Sequence, residues 1–380
     1  MTSHAKLSAS GSVRWLACPG SVKAESGLSD KGSIFAQEGT CAHELAELVL
    51  TNGGNAFDWV GKKLIENSGF VVTTEMAGYI QEYVDYVGQI GGDQQYEERV
   101  DFSDWVPEGF GTSDVIAYDL ATATLHVIDL KYGKGHRVEA QNNTQGVLYG
   151  LGAYSDWGMI YPIKAVRVHI HQPRLDHIST WDLTTDELLR WGETLREGAN
   201  KCLEPDALRV PGEAQCLFCK AKATCPALLR HAESVLMADF DDFEQLAVDT
   251  LTSEKLRNVL DNKKLISGWL EAVEALAIER LVSGEGFAGY KLVEGRSTRK
   301  WADEGAAEKA LIALIDDQAY TPRKVISPTQ AEKALAKKDA GKIADLIVKP
   351  SGKPTLVAES DKRPGLTITA EDFDFNALPE

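Results

Sequence analysis

The chain has no run of about 18 consecutive apolar residues, the length a membrane-spanning helix needs. Its first residues also lack the apolar core of a secretory leader. The cytoplasm is therefore the expected location, with no membrane partner. Six cysteines in 380 residues are too few and too unevenly placed for a disulfide scaffold. No Gly-x4-Gly-Lys-Ser/Thr loop is present, so any nucleic-acid unwinding must come from a partner. Internal repeats are absent too. Positive charge is in deficit: 40 Lys and Arg against 57 Asp and Glu leave a net −17, which argues against a general nucleic-acid coat. It does not exclude a nuclease, because metal sites need carboxylates and net charge does not say where the cations sit. An apolar share of 43% and a charged share of 26% suit a soluble globular chain of one large domain and a smaller one.

What is present is a short run of strand-like segments bearing charged residues. Residues 124–131, Thr-Leu-His-Val-Ile-Asp-Leu-Lys, are rich in apolar and β-branched types and end before Gly133. They read as a strand buried on both faces, central in its sheet. Alternate strand residues share a face, so Asp129 and Lys131 project together. Residues 111–118 read as a second strand with Asp114 in mid-run, where an unpaired carboxylate would be penalised. The short connection between them fits an antiparallel pair. Strands are also expected at 96–102 and 164–171. Helices are expected at 37–51, 74–90 and 138–154, and another opens at 182–187 with Thr184 or Thr185 as its N-cap. The order is α/β.

Two carboxylates and a lysine converging on one sheet make a candidate divalent-metal site for phosphodiester hydrolysis. Asp114 and Asp129 are the candidate ligands of Mg²⁺ or Mn²⁺, hard cations that prefer oxygen. The ordinary alternative is a plain Asp129–Lys131 ion pair at a strand end. His43 and Glu47, four apart, share one side of the first long helix, and Gln141, Gln145 and Tyr149 recur along one side of a later one. Glu98, Glu44 and Glu47 are second-tier acids. Cys216-x2-Cys219-x5-Cys225 is a separate grouping that suggests metal ligation in a reducing compartment. Cys41 and Cys202 read as ordinary buried thiols, with Cys202 a conceivable substitute ligand.

The order Asp114, Asp129-x-Lys131, Gln145-x-x-x-Tyr149, preceded by the histidine helix Glu38-Gly-Thr-Cys-Ala-His43-Glu-Leu-Ala-Glu47, resembles the PD-(D/E)xK nuclease superfamily. Within it the likeness is to the branch with the nuclease domains of the RecB and AddB recombination enzymes and the CRISPR-adaptation nucleases. The nuclease resemblance spans residues 8–230. The pieces at 8–21 and 289–301 resemble a bacteriophage-encoded family of uncharacterised proteins. The resemblance implies an αβββαβ restriction-endonuclease-like core. It implies metal ligation by His43, Asp114, Asp129 and the Leu130 carbonyl, with Lys131 as the catalytic lysine and Gln145 and Tyr149 reaching toward the site or the DNA strand. It further implies a 4Fe–4S cluster on Cys18, Cys216, Cys219 and Cys225, with structural Zn²⁺ as the alternative. The expected activity is a metal-dependent deoxyribonuclease, an exonuclease of phage recombination, replication or DNA-end processing, in the cytoplasm of a bacterial host. A non-catalytic DNA-end-binding or assembly protein that kept the fold is the competing expectation. DNA is the expected partner, alongside phage recombination or replication proteins.

After residue 230 the character changes. Residues 231–250 read as an acidic linker, and 251–368 as a mostly helical region opening with an amphipathic helix at 251–282. Residues 369–380 form an acidic tail. In the C-terminal region Arg296, Arg299, Lys300 and Trp301 combine cations with an aromatic, a composition that can track phosphates and stack on a base. The ordinary alternative is a small core around Trp301 with solvated cations.

Overall fold

The structure is a computed structural model that describes residues 5–28, 34–65, 70–237, 253–285 and 290. The described residues lie within the unit Met1–Val293, and the second unit, Glu294–Glu380, falls outside them. The candidate DNA-contact residues Arg296, Arg299, Lys300 and Trp301 therefore lie outside the described residues, as do 238–252 and the acidic tail.

Two short helices come first, α1 (Ser12–Ala17) and α2 (Ser21–Glu25), followed by α3 (Ile34–Asn52) and α4 (Thr74–Ile90). The Thr73 hydroxyl caps α4 by accepting the Met76 N–H at 3.1 Å. Strands β1 (Asp93–Asp101), β2 (Phe110–Asp119) and β3 (Thr124–Leu130) follow, then α5 (Thr144–Trp157) and β4 (Ala165–Gln172). A fifth strand, β5 (His177–Thr184), leads directly into α6 (Thr185–Leu203). The end of the described chain is helical: α7 (Glu213–Leu217), α8 (Pro226–Met237) and α9 (Ser253–Val282). No helix of the described residues is long and apolar enough to cross a membrane.

The five strands form one mixed sheet in the order β1-β2-β3-β4-β5, antiparallel except for the β3–β4 pair. That pair is parallel because α5 carries the chain back across the sheet, which a hairpin cannot do. The first six main elements of the sheet region thus run α4-β1-β2-β3-α5-β4, the expected order. The strand β5 is an addition to it: its residues alternate in burial, but the reading of 182–187 as a helix opening hid the strand. The cap itself is as expected, since Thr184 and Glu187 form a reciprocal capping box at α6.

β3 is buried along its whole length. Its Leu125 and Val127 join a core with α5 and α6, while Ile128 and Leu130 join another with α3 and α4. Helix α5 begins at Thr144, six residues later than the periodicity suggests. Upstream, the Val138 and Ala140 N–H groups donate to Gln172 Oε1 and Ser179 Oγ, so this stretch is held by β4 and β5 side chains instead. Once started, α5 lies very close to the sheet: a side chain at Gly146 would collide with Val168. At Gly111 an added Cβ would come within 2.8 Å of the Tyr149 ring, so the missing side chain lets Tyr149 lie against β2.

Candidate metal centre

The β2–β3 ladder stops at Val115 opposite Ile128. Beyond it the Leu130 N–H has no strand partner, and a buried amide must find one. The Asp114 carboxylate supplies it: Oδ2 accepts the Leu130 N–H at 2.6 Å. The other oxygen, Oδ1, is 3.1 Å from His43 Nδ1 on α3. Asp114 therefore bridges a helix on one side and a strand end on the other.

Asp129, 3% exposed, lies on the α5 face of β3. Its Oδ2 is 2.8 Å from Lys131 Nζ, and its Oδ1 accepts Gln145 Nε2 at 2.9 Å. Lys131 Nζ also donates to Gln145 Oε1 at 2.9 Å, which closes a ring of carboxylate, ammonium and amide. This fixes the amide, since only one orientation offers oxygen to the ammonium and N–H to the carboxylate. Gln145 Nε2 further reaches the Tyr149 hydroxyl at 3.4 Å. The expected residues His43, Asp114, Asp129, Leu130, Lys131, Gln145 and Tyr149 are thus brought to one place by α3, β2, β3 and α5.

One acid there was not expected. His43, Glu97 and Asp114 present ligand atoms that all lie within 4.8 Å of one another, so this group could hold a metal ion. Regular alternation counted back from Val100 points to Glu98, but Glu97 is the acid that arrives. The backbone explains it. Glu97 has a left-handed φ of 48°, a conformation that costs on the order of 1–2 kcal/mol for a residue other than glycine. Tyr96 packs with the α3/α4 core and Val100 with the α5 core, although an even spacing should keep them on one face. The twist at Glu97 switches the faces of β1. Glu44 and Glu47 act on Glu97 as neighbouring negative charges.

The electrostatics are those of a crowded acidic pocket. Burial would lower the pKa of His43, but the charge and hydrogen bond of Asp114 outweigh it, with Asp129 and Glu97 adding, and His43 is pushed up to about 9. Burial raises Glu97 to about 7, aided by Asp114 and opposed by His43. Asp129 is also raised, by burial and by Asp114, against the pull of Lys131. Burial would raise Asp114, yet His43, the Leu130 N–H and Lys131 together hold it below the usual range. Lys131 is raised because the attraction of Asp129 exceeds its own burial. The crowded acids thus favour proton binding at His43 and Glu97 more than in free side chains. A donor set of carboxylates and one imidazole fits a divalent cation, which would replace those protons.

The cysteines make a second constellation about the short helices. Cys18, Cys216, Cys219 and Cys225 line one cavity, beside Val210 and Gln215. All are free thiols. Cys18 follows α1, and its sulfur accepts the Val210 N–H at 3.2 Å. α9 covers this region, with Leu265 packed on Cys216 and Leu228 and Trp269 beside them. Among the described residues no three of these sulfurs lie within 4.8 Å of one another. Burial raises the Cys216 thiol, and burial with Glu25 nearby pushes Cys219 up to about 11. Cys202 lines a different cavity and donates to the Trp15 and Gly198 carbonyls at 3.3 Å. Cys41 is fully enclosed in the α3/α4 core.

A family model described as "Protein of unknown function (DUF2800)" matches residues 4–364. Among solved structures the chain is similar to the crystal structure of SSO0001, at 14% identity over 58% of this chain and 85% of that one. The TM-score of that match is 0.27, too low for the likeness to carry any argument about fold or activity.

Proposed function

The chain belongs to the DUF2800 family, whose function is unknown, and we propose that it is a divalent-metal-dependent deoxyribonuclease built on a PD-(D/E)xK core. The reading extends to an exonuclease of phage recombination, replication or DNA-end processing. One observation carries it: Asp114 with His43 from α3, and Asp129 and Lys131 with Gln145 from α5, form two hydrogen-bonded sets joined by the Asp129-Leu130-Lys131 backbone, whose Leu130 N–H donates to Asp114. A plain ion pair would need only Asp129 and Lys131. Crowding the part-buried Asp114 and Glu97 beside them costs stability that a bound cation would offset. The α4-β1-β2-β3-α5-β4 order supports the core assignment.

Asp114, Asp129 and His43 would hold Mg²⁺ or Mn²⁺. In a strand a residue's N–H and C=O point to the same side, so the Leu130 carbonyl faces the gap into which its N–H donates to Asp114. A bound divalent cation supplies Lewis-acid polarisation of the phosphate and activation of water. Lys131 stands at the charged end of this group, where an ammonium can orient the attacking water or offset charge developing on phosphate oxygens. Gln145 keeps that ammonium and Asp129 in register, and Tyr149 buttresses Gln145. The test is a digest of end-labelled linear, circular, single- and double-stranded DNA with Mg²⁺ or Mn²⁺. Cleavage requiring a free end is the expected result; no cleavage of any substrate removes the reading.

The four cavity-lining cysteines support a 4Fe–4S cluster over zinc. A structural zinc site usually shows two Cys-x2-Cys units, and here there is one, Cys216-x2-Cys219, followed by a wider gap to Cys225. Anaerobically purified protein should be brown with about four iron atoms per chain. Colourless protein with one tightly held zinc would put structural Zn²⁺ in its place. Cys202→Ala should leave the colour unchanged.

A further inference from the structure

We propose that α9 pairs two copies of this chain, antiparallel, through the side of the helix turned away from α7 and α8. This pairing is independent of the nuclease reading.

One side of α9 is already engaged. Leu265 packs with Cys216 and Leu228, Asn262 Oδ1 lies 2.7 Å from His231 Nε2 on α8, and Lys264 Nζ lies 3.1 Å from Glu213 on α7. A helix that docks on its own protein in this way normally shows a polar far side to water. At about 100° per residue, Leu256, Leu260 and Leu270 fall on the side opposite Leu265. They are 47%, 44% and 55% exposed. α9 is therefore apolar on two sides, and only one of them is covered by α7 and α8.

The charges indicate which partner fits the other side. Residues 253–267 carry four cations against two acids, and residues 268–282 carry three acids against one cation. A parallel second copy would set like halves together. An antiparallel one lays the basic half of each helix on the acidic half of the other, and such complementarity favours that orientation.

The spacing agrees with this orientation. From Leu256 to Leu281 the outward residues recur at alternating steps of four and three, the seam of a two-stranded coiled coil. Turning a second copy about the point between Gly268 and Trp269 pairs Leu256 with Leu281 and Leu260 with Ala277. The same rotation pairs Lys263 with Glu274 and Ser267 with Leu270. Apolar layers thus close both ends, and the two charged positions of the seam meet each other. Lys263 and Glu274 are exposed and make no ion pair among the described residues. A polar layer of this kind fixes register and orientation at some cost in affinity.

The experiment is sedimentation equilibrium of the full-length chain over a concentration series, without DNA or added metal. Wild type should move from one copy toward two as concentration rises. Lys263→Glu turns attraction into repulsion at both charged layers and should raise the dissociation constant about tenfold or more. Combining Lys263→Glu with Glu274→Lys exchanges the signs and should restore association. Leu260→Glu should leave a single copy. All three side chains are exposed, so circular dichroism should match wild type in every variant. Wild type that stays a single copy at every concentration overturns the pairing. So does a dimer that both Lys263→Glu and Leu260→Glu leave intact, because its contact lies on another surface. A dimer that Lys263→Glu weakens and the charge exchange fails to restore overturns the antiparallel register.

Discussion

Two histidine-bearing regions of the molecule behave in opposite ways. At the candidate metal centre, His43 stands against Asp114 and is pushed up to about 9 by its charge and hydrogen bond. On β3 and β4, His126 Nδ1 lies 2.9 Å from His169 Nε2, and His169 Nδ1 lies 2.7 Å from the Tyr86 hydroxyl. There burial, with His126 and Arg167 adding, drives His169 down to about 3. His171, stacked near Tyr83 and Tyr86, falls to about 4 through burial alone. Both regions are buried and polar. The difference is the charge: one patch is held neutral by burial and joins His126, His169 and Tyr86 by hydrogen bonds, while the other gathers more negative charge than its lysine can balance. A region without surplus charge reads as structure, and one with it reads as a site.

The sharpest way to break this comparison is to compare their effects on activity. Asp129→Asn and Lys131→Ala should each lower DNA cleavage by about 10³-fold or more, the scale expected when a group stabilising transition-state charge is lost. His169→Gln should cleave near the wild-type rate. If His169→Gln is as inactive as Asp129→Asn while still folded, the division into site and structure is wrong.

Acid stability separates them next. A histidine with a lowered folded pKa stabilises the fold in its neutral form. That contribution is fully present above the ordinary value of about 6.5 and is lost as pH falls toward the folded value of about 3. Each pH unit below 6.5 should remove about 1.4 kcal/mol for this one group. Urea denaturation across pH 7 to 4 should show this slope in wild type and a shallower one in His169→Gln.

At the alkaline end the sign reverses. His43 has a raised folded pKa, so its contribution in the metal-free protein is present below about 6.5 and lost as pH rises through about 9. Chelator-treated wild type should therefore lose stability between pH 6.5 and 9, and His43→Gln should lose less. A third of the His43 side chain is exposed, so the effect should be smaller than at His169. Equal slopes in the two proteins would show that Asp114 does not hold the proton on His43.

The smallest expected change concerns backbone strain. Glu97→Gly removes both the left-handed penalty and a buried acid, and should stabilise the metal-free protein by about 1 kcal/mol. A loss of stability of that size would mean that Glu97 supports the fold.

Features that depend on near neighbours are legible in the chain itself. The richness of Thr124–Leu130 in apolar and β-branched residues made β3 a strand covered on both faces, and alternation put Asp129 and Lys131 side by side. Helical spacing aligned Gln145 with Tyr149, and the Thr184–Glu187 pair marked the start of α6. These rules act over a few residues, within reach of one strand or one helical turn. Tertiary structure alone decided what depends on register. It left the Leu130 N–H open where β2 and β3 part, so that Asp114 turned to it, and brought His43 to Asp114 across 71 residues of chain. It also selected Glu97 over Glu98, because a left-handed residue reverses the alternation that local reading assumes. It joined the buried His126 and His169 of β3 and β4 to each other and to Tyr86, with burial outweighing the pull of Asp182. A periodic pattern records which face a side chain takes, but the charge it meets there comes from another part of the chain, and that charge decides whether a histidine is a filler or a ligand.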